Sequence, residues 1–80
     1  MAVISLREYH TLIDSLIDQN KYDEAVFHCN TILETYPNTI ETLKFLGKSQ
    51  LELNQQNEAT DTFSRILSIL PDDAIAHAGL

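Results

Sequence analysis

Apolar residues recur along this chain at the spacing of a single helical face. Leu6, Tyr9, Leu12, Ile13, Leu16 and Ile17 follow steps of three and four, the signature of an amphipathic helix, here ending near Gln19. Ser5 with Glu8 three residues later forms a capping-box pattern at its start, and Asn20 tolerates the left-handed conformation that closes a helix. A second stripe runs through Ala25, Cys29, Ile32, Leu33 and Tyr36, with Asp23 and Glu24 in the first turn, where the helix dipole favours negative charge. Pro37 cannot donate the next helical hydrogen bond and pushes Tyr36 away from helical angles, so a turn is predicted there. Asn38 followed by Glu41 reads as the next helix start, and a third helix is predicted from about Thr39 to Leu53.

The pattern then begins again. A shift of 34 residues, the separation of Pro37 from Pro71, lays Leu12 on Leu46, Asn20 on Asn54, Glu24-Ala25 on Glu58-Ala59, and Ile32-Leu33 on Ile66-Leu67. A fourth helix therefore carries Ala59, Phe63, Ile66, Leu67 and Leu70, and a fifth is expected to begin near Asp73, with Ala74, His77 and Leu80 in the places of Leu6, Tyr9 and Leu12. Short links between helices of this length favour antiparallel hairpins. The expected architecture is all-α, a stack of two antiparallel helix pairs and a C-terminal stub. It forms one domain over residues 1–80, with units at 6–39, 40–73 and 74–80. Units of this period bury their apolar faces only by stacking on one another.

Composition narrows the function. Twelve acidic against five basic residues give a net charge of −7, which disfavours general contact with a nucleic-acid backbone. Cys29 is the single cysteine, so no internal disulfide forms, and a cytoplasmic location is the expectation. No apolar run reaches the roughly 18 residues of a membrane span, and the N-terminus lacks the charged flank of a signal peptide. Chemistry is not evident. His10 and Asp14 lie four apart without a third metal ligand in the pattern, and His28 and Cys29 point about 100° apart on a helix. No glycine-rich phosphate loop, nucleophile elbow or paired zinc motif is present, so neither catalytic residues nor a cofactor are assigned.

The segments Asn20-Lys21-Tyr22-Asp23-Glu24-Ala25, Tyr36-Pro37-Asn38, Leu46-Gly47, Glu58-Ala59 and Leu70-Pro71-Asp72 resemble the tetratricopeptide repeat, and the resemblance covers Leu6 through Leu80. Ala25 and Ala59 are small where paired helices approach closely, and Gly47, opposite Ala59, is expected to bring the second pair closer still. Ile13, Tyr9, Leu43, Ile32 and Ile66 depart from the family's usual residues and suggest slightly wider helix spacing.

The resemblance implies a right-handed superhelical sense for the stack, and a non-catalytic protein interaction module whose first and third helices line a concave groove for an extended or helical peptide. It points to Arg7, His10, Asp14, Ile17 and Asp18 in the first unit and to Glu41, Lys44, Phe45, Lys48, Leu51 and Glu52 in the second. Arg7, Lys44 and Lys48 are three of the five basic residues, which suggests an acidic partner segment, with Ile17, Phe45 and Leu51 as apolar contacts. His10, Asp14 and Phe45 replace the residues with which some family members grip the C-terminal carboxylate of heat-shock chaperones, so that ligand is disfavoured. Phe27 falls on the side of its helix away from the apolar stripe and is a weaker candidate for a second contact. Two other readings stay open. One is self-association as a homodimer through Ala74, Ile75, Ala78 and Leu80; the other is a regulatory segment at the head of a larger enzyme.

Overall fold

The computed structural model describes residues 5–71, which form four helices: α1 (Leu6–Asp18), α2 (Tyr22–Thr35), α3 (Ile40–Glu52) and α4 (Gln56–Ile69). No strand occurs among the described residues. The expected fifth helix and the self-association face Ala74, Ile75, Ala78 and Leu80 lie outside them.

The helix ends follow from local chemistry. Ser5 Oγ accepts the Glu8 amide hydrogen at 3.1 Å and so satisfies a donor that the first turn leaves orphaned. Asn20 and Asn54 both take φ 61°, the left-handed conformation their position requires. At each of these turns the same pair of amides folds back over the helix. Asn20 N donates to Ile17 O at 3.0 Å and Lys21 N to Leu16 O at 2.8 Å; one period later Asn54 N donates to Leu51 O at 3.1 Å and Gln55 N to Gln50 O at 2.8 Å. This is the Schellman closure, written twice. The start of α3 differs from expectation by one residue. Thr39, not Asn38, is the N-cap, and its hydroxyl donates to Tyr36 O at 2.8 Å, holding the Pro37 turn instead of capping the helix.

The core is shared between the hairpins. Ile13, Leu16, Ile17, Ala25, Cys29 and Ile32 of the first hairpin pack with Leu46 of the second, while Leu43, Ala59, Phe63 and Ile66 of the second receive Leu33 of the first. Each exchanged leucine removes apolar area from water that neither hairpin covers alone, contributing about 1.5–3 kcal/mol when burial is complete. Leu12 shows the converse. It stands in register with Leu46, yet it is 42% exposed where Leu46 is 3% exposed, because Leu46 meets an earlier hairpin and Leu12 meets none among the described residues.

At Gly47 the nearest neighbour is the ring of Phe63: a Cβ there would lie 2.8 Å from the ring's Cζ, so the bare backbone seats the phenyl group. One further expectation is corrected. Tyr36 and Leu70 leave the apolar stripe because each is the residue beyond its helix's last turn, and both are exposed. Ile32 and Ile66 are buried in the core.

Candidate functional site

An open trough of about 740 Å³ runs between α1 and the N-terminal half of α3. One wall is the α1 stripe Arg7, Thr11 and Asp14, spaced by four and three residues so that the three side chains share a face. The other is formed by Glu41 and Phe45, one turn apart on α3, with Ile40 and Thr39 at the start of that helix and Leu6 at the start of α1. Lining residues come from both hairpins, so the trough exists only when the hairpins stack.

His10 forms the floor. Its Nε2 lies 2.6 Å from Thr42 Oγ1, its Nδ1 lies 3.2 Å from Glu41 Oε2, and its ring tilts against Phe45 with centroids 5.6 Å apart. A carboxylate only accepts, so Nδ1 carries the hydrogen that faces Glu41, and in the neutral ring Nε2 accepts from the Thr42 hydroxyl. Both nitrogens are thus committed to α3, and the imidazole is buried. The walls remain open to water: Arg7, Asp14 and Glu41 are exposed and Phe45 is half-buried. With one fixed cation and two carboxylates, the trough is mixed in sign and has an aromatic face at one wall.

Of the residues that sequence reasoning placed in the groove, the structure brings Arg7, His10, Asp14 and Phe45 together with Glu41. Ile17 is corrected. It belongs to the core cluster that contains Leu46, because α3 of the next hairpin covers it. His10 lines the trough and also ties α1 to α3 through Thr42 and Glu41. Lys44 is half-buried and Lys48 and Leu51 are exposed, all three on α3 and outside the trough lining. Thr11, Ile40, Thr39 and Leu6 were missed; Thr11 carried a readable signal in its position one turn after Arg7.

Reactive chemistry does not converge here. No group of three or more His, Cys, Asp or Glu side chains able to hold a metal occurs among the described residues. His10 pairs with Glu41 across the helices and not with Asp14 along its own. His28 Nδ1 lies 2.7 Å from Tyr9 Oη, and burial pushes the Cys29 thiol from 9.0 up to about 12, which leaves it protonated and inert at neutral pH. No described helix is long and apolar enough to cross a membrane.

A family model described as tetratricopeptide repeat matches residues 16–80, most of the chain. The chain belongs to the tetratricopeptide repeat family. Two helical hairpins closed by identical asparagine turns, with small residues at Ala25 and Ala59, are the physical content of that membership. Tetratricopeptide repeats generally mediate contacts between proteins and are generally non-catalytic. Among its relatives, the repeat is 38% identical over 58 residues to the peptidyl-prolyl cis-trans isomerase FKBP42 of Arabidopsis thaliana, covering 72% of this chain and 16% of that protein. It is 32% identical over 80 residues to human Superkiller complex protein 3, covering 96% of this chain and 5% of that one. A third relative, the CTR9 homolog of Arabidopsis thaliana, is 38% identical over 56 residues, with 70% of this chain and 5% of the relative covered. The chain therefore spans only a small part of the length of the curated relatives it matches.

Proposed function

We propose that this tetratricopeptide pair is a non-catalytic interaction module that receives an extended or helical segment of a partner protein in the trough between α1 and α3. The observation that carries this reading is the contrast between floor and walls. His10 is immobilised by Thr42 and Glu41, while Arg7, Asp14 and Glu41 still face water beside the ring of Phe45. A braced floor reduces the ordering cost of binding, and an aromatic wall with charged rims supplies contact area and orientation. Superkiller complex protein 3 is by its name part of a complex, which accords with membership of an assembly here.

The segment we favour places an apolar residue on Phe45 and continues along α3 with acidic residues. Arg7, Lys44 and Lys48, three of the five basic residues, lie on the two helices that bound the trough. Asp14 and Glu41 set the limit on this preference, since they repel acid placed deep in the trough.

Selection of short peptides from a random library against the protein tests both statements. Selected peptides should bind Phe45→Ala about tenfold more weakly, as expected for the loss of a central aromatic contact. Acidic peptides should also lose salt dependence on Lys48→Glu. Undiminished binding to Phe45→Ala would overturn the trough reading, and selection of peptides without acidic enrichment would overturn the charge preference alone.

A further inference from the structure

The trough draws nothing from α2, whose outward side carries a feature of a different kind. Phe27 is 66% exposed, more than any other large apolar side chain among the described residues. It also ends a chain of ring contacts. Its ring meets His28 edge-on with centroids 5.4 Å apart, His28 meets Tyr9 of α1 in the same manner at 5.3 Å, and Tyr9 Oη lies 2.7 Å from His28 Nδ1. The phenyl group at the end of this chain keeps a face open to solvent.

Carboxylates flank Phe27 on its own helix, with Lys21 at the N-cap beyond them. Asp23 and Glu24 stand four and three residues before Phe27, one turn away on the same side, and Glu34 stands two turns beyond; all three are exposed. The segment Tyr22–Thr35 contains no lysine or arginine. A helix face with an open aromatic ring and flanking carboxylates complements a planar cation, which stacks on the ring while its N–H groups reach the acids.

From this we infer a second docking surface, centred on Phe27 with Asp23 and Glu24, that receives an arginine-bearing segment of a partner protein. It lies on a different helix from the trough and does not depend on the reading given to the trough. The carboxylates beside Phe27 on α2 and the mixed charges of the trough then give the module two separate docking surfaces, so that it joins two segments at once.

Fluorescence anisotropy with a labelled arginine-glycine peptide, its lysine-glycine counterpart and a glutamate-glycine control tests the inference on the 80-residue protein. The arginine peptide should bind best, and Phe27→Ala, which removes an exposed side chain and leaves the core intact, should weaken it about fivefold. Asp23→Asn/Glu24→Gln should weaken it as well, whereas Phe45→Ala in the trough should not. Equal binding of arginine and lysine peptides, or Phe27→Ala binding within error of the parent, would reduce the contact to general attraction by net charge and overturn the proposal. Loss of arginine-peptide binding in Phe45→Ala would place the site in the trough and overturn it too.

Discussion

His10 Nε2 stands 2.6 Å from Thr42 Oγ1, and this bond joins the first hairpin to the second beneath the trough. Both residues are buried, so water does not replace either partner. Thr42→Val keeps the volume and deletes the hydroxyl, leaving a ring nitrogen unsatisfied at a cost of about 1–3 kcal/mol. Urea unfolding should show a lower midpoint with an unchanged slope. An unaltered midpoint would mean that the bond does not brace the stack.

Gly47→Ala sets two effects against each other. Alanine favours a helix interior by about 1 kcal/mol over glycine. The added methyl, however, would lie 2.8 and 2.9 Å from two carbons of Phe63, whose own side chain is buried and has little room to retreat. Overpacking of this kind costs about 1–3 kcal/mol, so the net effect should be destabilising. Phe63→Leu, which shortens the obstructing group, should make the double variant less destabilised than the sum of the two single changes. Thermal unfolding of the four proteins checks the cycle.

Ser49 Oγ is buried without a hydrogen-bond partner among the described residues. Removing an unsatisfied buried hydroxyl by Ser49→Ala should raise stability by about 1 kcal/mol, helped by alanine's better helix propensity. A fall in the unfolding midpoint would indicate that the hydroxyl is satisfied in solution.

Burial holds the Cys29 thiol at about 12 against 9.0 for the ordinary group. Because the folded pKa is raised, the stability contributed by the protonated thiol is fully present below pH 9 and is lost as pH rises from 9 toward 12. The unfolded chain releases the proton first, and that release pulls the equilibrium toward unfolding. Cys29→Ala should therefore show a flatter decline in urea midpoint across this alkaline range than the parent. Identical slopes in the two proteins would contradict the assignment.

The sequence made the helices and their turns legible because those depend on neighbours a few residues away. Asn20 and Asn54 needed the left-handed conformation that their places implied, and Ser5 capped α1 as its spacing with Glu8 indicated. Positions settled by the next hairpin were harder to read. Ile17 looks like an open groove residue on a single helix, yet α3 buries it; Leu12 looks like core, yet it is left exposed. His10 lines the trough, but its bonds to α3 were not legible, since nothing in α1 alone reveals Thr42 and Glu41. The ring of Phe63 beside Gly47 was not legible for the same reason, since the period aligns Gly47 with Ile13 and nothing in α3 alone reveals a phenyl group on α4. Local chemistry writes the repeat, and stacking decides which faces are left to bind.

Mapping amide chemical shifts of the labelled protein during titration with a library-selected peptide tests the trough most directly. The largest shifts should cluster at Arg7, Thr11, Asp14, Glu41 and Phe45, spanning two hairpins, with the α4 surface around Asp61 and Ser64 unmoved. Shifts concentrated on α2 or α4, with Arg7 and Phe45 unchanged at saturation, would contradict a binding trough between α1 and α3.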